Sequence, residues 1–182
     1  VIVSTNFRPL EAVVLHATTQ VLPDIDVIFA DSGYMQPETY RFADKLSKQL
    51  ELNLKVYNPQ MTSARRDAIY GADLPGLDRE EELEVFTNLV KLEPFRRALT
   101  ELQPAVWFSS LRKEQNPFRD TLDIFVQEGN GPLKVNPVFY FSEEQMEAYL
   151  VENNLPDEKM YFDPTKIDEK RECGLHKPGF SK

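Results

Sequence analysis

Short apolar runs alternate along this chain with segments whose apolar residues recur at helical spacing, and this alternation limits the fold more than any other feature. Val1 to Val3 reads as a buried strand, and after a polar turn Leu10, Val13, Val14 and Ala17 fall on one helical face. Val27 to Ala30 is the next strand, closed by Asp31-Ser32-Gly33. Pro37 opens a helix with the stripe Thr39, Phe42, Ala43, Leu46 and Leu50, in keeping with proline at a first helical turn. Leu54 to Tyr57 reads as a third strand. Repeated units of this kind predict an α/β domain on a mostly parallel, twisted sheet with helices on both faces.

The middle of the chain is helical, with stripes at Leu83, Phe86 and Val90 and then at Phe95, Ala98, Leu99 and Leu102. Strands are expected at Ala105 to Phe108, Ile124 to Val126 and Val135 to Val138. Ser142 followed by Gln145 signals a capping box for a helix carrying Met146, Tyr149 and Leu150. Residues 1–156 read as one domain, and residues 157–182 as a charged, proline-dotted, mobile tail.

The chain has 182 residues, enough for one domain with its own core, and 41% hydrophobic with 28% charged residues is ordinary for a globular protein. No apolar run approaches the roughly 20 residues that span a bilayer. The opening on an apolar run without an initiator methionine reads as a chain lacking its natural start, not as a signal peptide. A single cysteine excludes an intramolecular disulfide and a cluster held by four cysteines of one chain, and suits a reducing cytoplasm. The net charge of −9 argues against broad binding to nucleic acid or anionic lipid. A small anion could still bind where basic residues gather.

Three segments offer chemistry. The loop after the first strand, Ser4-Thr5-Asn6-Phe7-Arg8, has hydroxyls and N–H groups suited to a phosphate or a ribose, but no glycine, so it is neither a dinucleotide fingerprint nor a P-loop. The stretch Ser110 to Arg119 brings Arg112, Lys113 and Arg119 into one loop after a predicted strand, and guanidinium groups fit phosphate or sulfate oxygens. Lys91, with Arg96 and Arg97, raises the same possibility. In the tail, Cys173 has Lys170, Arg171, His176 and Lys177 nearby, cations that favour the nucleophilic thiolate, and Gly174 gives local freedom. A solvated loop and an inert cysteine are the plain alternatives. His16 and His176 are too few and too distant to suggest a metal site, and His16 reads as helix-face packing.

The tail Lys170 to His176, KRECGLH, resembles the catalytic C-terminal motif of the phosphoadenylyl-sulfate (PAPS) reductases. DSGYMQPETYRF at Asp31 to Phe42, LNLKVY at Leu52 to Tyr57, Lys91 with Glu93-Pro94 and Arg97-Ala98-Leu99, and WFSSLRKEQ at Trp107 to Gln115 are similar to that family in the same order. The resemblance implies an adenine nucleotide α-hydrolase-like fold, a homodimer, and 3′-phosphoadenylyl sulfate as substrate. It implies no iron–sulfur cluster or other cofactor, with thioredoxin or glutaredoxin as electron donor. Cys173 would attack the sulfonate sulfur and form S-sulfocysteine. Lys91, Arg112, Lys113, Arg119, Arg171 and His176 would serve the anionic substrate, and Ser4, Thr5, Asp31, Ser32 and Gly33 would line the nucleotide pocket.

Two departures stand out. Phe7 is followed by Arg8 where the family pattern has glycine, and Asn154 passes to Lys170 by a short Asp157–Glu169 connection without a Gly-Tyr-x-Ser-Ile-Gly-Asp-like stretch. They favour one alternative to the active reductase, a non-catalytic nucleotide-binding paralogue; the lone Cys173 leaves a second, a cluster-free adenylyl-sulfate reductase.

Overall fold

In the computed structural model, which describes residues 1–115, 117–127 and 129–166 with Leu175 and Phe180, the strand-like runs form one six-stranded sheet. β1 (Ile2–Thr5), α1 (Glu11–Val21), β2 (Asp26–Ala30), α2 (Pro37–Gln49) and β3 (Asn53–Tyr57) make two successive strand–helix–strand units. α3 (Ser63–Tyr70), α4 (Glu80–Thr87) and α5 (Glu93–Leu102) then return the chain to β4 (Val106–Phe108). β5 (Phe125–Val126), β6 (Leu133–Val135) and α6 (Glu143–Glu152) follow. The spatial order is β3-β2-β1-β4-β6-β5. All neighbours pair parallel except β5 with β6.

Because successive side chains of a strand point to opposite faces, the buried strands feed two cores. Val3, Val27 and Phe29 pack with Val13 and Val14 of α1, Phe42 and Leu46 of α2, and Met146 and Leu150 of α6. Ile2, Ile28 and Ala30 turn the other way, onto Phe95 and Ala98 of α5 and Trp107 of β4. Leu175 and Phe180 complete this second core. Leu83, Phe86 and Val90 form a satellite cluster. Burying a side chain such as Phe95 contributes about 1.5–3 kcal/mol.

The chain winds outward from β1 to β3 and then restarts beside β1 with β4. The loops after β1 and β4 therefore diverge, leaving a crevice at the carboxyl ends of these two strands.

Local details differ from the periodicity. The helix α3 was not expected, and of its residues only Arg66 is buried. Between α4 and α5 the backbone makes a π-helical turn over Asn88–Leu92, in which the Glu93 amide donates to the Asn88 carbonyl. Pro94 explains the widening: its ring removes one N–H and crowds the carbonyl four residues back. β6 ends at Val135, short of the expected Val138, because Asn136-Pro137 turns the chain and the Phe139 amide donates to the Asn136 carbonyl. Among the described residues no helix is long and apolar enough to cross a membrane.

A candidate anion site at the switch between β1 and β4

The loop after β1 holds two left-handed residues, Phe7 (φ 54°) and Leu10 (φ 70°). Such conformations cost about 1–3 kcal/mol each and persist only where packing enforces them. Here the Phe7 ring is fully buried, edge-on to Phe29 at 5.1 Å and Phe42 at 6.4 Å, and the Leu10 amide donates to Asp157 Oδ1 at 2.8 Å. The fixed loop turns Thr5 and Asn6 onto Glu11, in the first turn of α1. The buried Glu11 carboxylate accepts from Thr5 Oγ1 at 2.7 Å and the Asn6 amide at 2.8 Å on one oxygen. On the other it accepts from Ser110 Oγ at 2.6 Å and Arg8 Nε at 2.8 Å. Arg8 Nη2 reaches the Ser110 carbonyl at 3.3 Å and Gln115 Oε1 at 3.4 Å, tying the β1 loop to the β4 loop.

The β4 loop is held from beneath by Ser109 Oγ donating to Asn136 Oδ1 at 2.6 Å. Two short 3₁₀ turns, Lys113–Gln115 and Pro117–Thr121, fold back so that Arg112 and Arg119 are both buried. Arg112 bonds Glu114 and lies 3.8 Å from Glu143, while Arg119 bonds Gln115 and the Arg112 carbonyl. Lys113 is exposed, its ammonium 5.9 Å from the centre of the Tyr140 ring.

Lys91, carried inward by the π-helical turn, is buried and bonds Asp163 Oδ2 at 2.5 Å and Thr165 Oγ1 at 3.3 Å. Burial pushes the Asp163 carboxyl up, but Lys91 and the hydroxyl and amide of Thr165 outweigh it and hold the group down at about 2. Asp163 is therefore an anion under all ordinary conditions. Trp107 joins the second core to the site: its Nε1 donates to Ser4 Oγ at 2.8 Å, and the Lys134 ammonium lies 5.0 Å from its ring centre. Lys134 also donates to the Leu175 carbonyl at 3.4 Å.

These pieces surround one cavity. Ser4, Thr5, Arg8, Lys91 and Arg119 line it together with Tyr161, Asp163, Lys166 and Leu175. Arg112 lines an adjoining cleft, which Arg8, Arg119, Tyr161 and Lys166 share. Of the residues expected at a site, Ser4, Thr5, Lys91 and Arg119 thus meet, and Arg112 borders them. Asp31, Ser32 and Gly33 sit at the end of β2 and are not among the lining residues. There Asp31 Oδ1 accepts from Tyr40 at 2.7 Å and from the Gly33 amide at 2.8 Å, in a turn that needs the φ of +79° at Gly33. Arg96 and Arg97 face away, on Asn88 and Glu93. Cys173, Arg171 and His176 lie outside the described residues. Glu11, Asp163 and Lys166 escaped the sequence reading, and Ser110 entered it only as the first residue of the Ser110–Arg119 stretch; their place in the fold brings them to the cavity. Among the described residues no group of three or more His, Cys, Asp or Glu could hold a metal ion.

The family model of the phosphoadenosine phosphosulfate reductase domain matches residues 1–164. The chain belongs to the phosphoadenosine phosphosulfate reductase family. A phosphoadenosine 5′-phosphosulfate reductase of Vibrio cholerae is 37% identical over 195 positions, covering 95% of this chain and 76% of the relative. One from Synechococcus is 34% identical over 198 positions, covering 96% and 84%. Both alignments are longer than the chain's 182 residues, so these reductases carry residues inside the matched stretch that this member lacks. The crystal structure of the PAPS reductase from Candida auris, a phosphate complex, superimposes with a TM-score of 0.71 at 26% identity, covering 86% of this chain and 73% of that one. The mostly parallel sheet with helices on both faces is therefore the fold of this reductase family.

Proposed function

We propose that this protein reduces 3′-phosphoadenylyl sulfate to sulfite and adenosine 3′,5′-bisphosphate, in the cytoplasm and as a homodimer. One observation carries the reading. Arg8, Lys91, Arg119 and Lys166 line a single cavity in a protein of net charge −9, and Leu175, two residues beyond Cys173, lines it too. A polyanionic ligand gives those cations a common purpose, and Leu175 brings one residue near Cys173 in the sequence to the same space. In the proposed reaction the Cys173 thiolate attacks the sulfonate sulfur. The sulfur–oxygen bond to the nucleotide breaks, and adenosine 3′,5′-bisphosphate leaves with that electron pair. A thioredoxin thiolate then attacks Cys173 Sγ and expels sulfite. The second thioredoxin thiol resolves the mixed disulfide, so the two electrons come from the dithiol and no resident cofactor takes part.

The test is intact-protein mass spectrometry after mixing with 3′-phosphoadenylyl sulfate and no reductant. One sulfonate mass on Cys173, lost on adding reduced thioredoxin, is the expected result. Cys173→Ser should form no adduct and release no sulfite while still binding the nucleotide. Nucleotide binding without an adduct in the unaltered protein would instead favour a non-catalytic member. An adduct from adenylyl sulfate alone would favour the smaller substrate.

A further inference from the structure

We infer that the loop after β1 recognises its anion through the Arg8 guanidinium, because the Glu11 carboxylate already occupies the cradle formed by donors at the end of β1, in the loop after it and in the loop after β4. Thr5 Oγ1, the Asn6 amide and Ser110 Oγ all converge on Glu11 at 2.6–2.8 Å, at the start of an eleven-residue helix. That is the arrangement an external phosphate or sulfate would seek, and here a buried internal carboxylate fills it. An incoming anion cannot use those donors without evicting Glu11. Arg8 is what the loop offers instead. Nε is fixed on Glu11 and Nη2 on the Ser110 carbonyl and Gln115, so the fork is held between the two loops before any ligand arrives. Its side chain keeps 20% of its exposure and lines both the cavity and the adjoining cleft, on the side shared with Arg119 and Lys166. Glu11 then has two effects. It orients Arg8, and it displaces the bound anion outward from the helix terminus toward the cations.

The inference rests on the nucleotide reading above, and titration calorimetry with two probes separates them. Inorganic phosphate and adenosine 3′,5′-bisphosphate are titrated into the full chain and its variants. Arg8→Ala should weaken phosphate binding about ten- to a hundredfold, the range for a charged hydrogen bond. Arg8→Ala combined with Glu11→Ala should bind more tightly than Arg8→Ala alone, since the cradle's hydroxyls and amide become available. Wild-type affinity in Arg8→Ala would overturn the proposal, as would a double variant no tighter than the single one. Because Arg8→Ala strips a buried carboxylate of its cation and could misfold, Arg8→Lys is measured beside it. It keeps the charge without the fork and should bind several-fold more weakly, and undiminished binding there would equally sink the role of the fork. Phosphate binding without nucleotide binding in the wild type would defeat the nucleotide reading and leave Arg8 measurable. Absence of phosphate binding in the wild type would defeat the inference itself.

Discussion

Lys91 and Asp163 have both been taken out of water, with side chains 4% and 5% exposed, and each depends on the other for that to be tolerable. Asp163→Asn should therefore destabilise the protein by about 3–5 kcal/mol, the usual cost of leaving one buried charge behind. Urea unfolding would show it as a lower midpoint at unchanged slope. The same pair sets a pH dependence. The folded value of Asp163, about 2, lies below its ordinary 3.8, so the folded state binds fewer protons between those values. Its stabilisation is complete above about pH 4 and drains away as the pH falls toward 2. Acid unfolding followed by the emission of Trp107 should lose that component in Asp163→Asn. Arg112, buried between Glu114 and Glu143 at the cleft, should on truncation to alanine weaken adenosine 3′,5′-bisphosphate binding by about 1.5–3 kcal/mol. Unchanged affinity by calorimetry would take Arg112 out of the site. The sequence showed these cations as residue types; it could not show their partners. Asp163 lies 72 positions from Lys91, and Ser110 lies 99 from Glu11, distances that only the sheet closes.

At the scale of elements, what could be read followed from how strongly a segment repeats. The helix α6 was legible in its cap: Ser142 Oγ accepts from the Gln145 amide at 3.2 Å, and Gln145 Oε1 accepts from the Ser142 amide at 2.8 Å. Ser142→Ala should cost about 1 kcal/mol, seen as a lower melting temperature with the fold retained. The helix α3 was illegible because it contributes little to either core and so carries no stripe. β5 spans only two residues, too few for a period to register. The π-helical turn was hidden for another reason. Leu83, Phe86 and Val90, and then Phe95 and Ala98, are each in helical step, and the extra residue between the stripes shows only as a shift of face. That shift is what carries Lys91 inward. His16 behaves as expected of a helix-face residue, its Nδ1 2.9 Å from the Tyr149 hydroxyl of α6.

For the molecule as a whole, the order of strands and helices was readable because buried parallel strands leave uninterrupted apolar runs, such as Val27 to Ala30. Cavity walls leave no such trace. Amide exchange should reproduce the division: β1, β2 and β4 should exchange only on global unfolding, whereas the Thr165 amide, bonded to Asp163 Oδ1 at 2.9 Å, should open at lower free energy and gain protection when phosphate binds. Equal protection of the two sets would mean that the residue 158–166 segment unfolds only with the sheet.

The ion pair between Lys91 and Asp163 also orders events in time. A ribosome delivers the chain from its amino end, so all six strands and α6, which ends at Glu152, are synthesised before Asp163 is added to the polypeptide. During that interval the contact between Lys91 and Asp163 cannot form. The protein cut back to residues 1–156 should accordingly carry the sheet without the finished cavity, and its phosphate affinity, compared with that of the full chain, would report what the closing segment adds to the pocket.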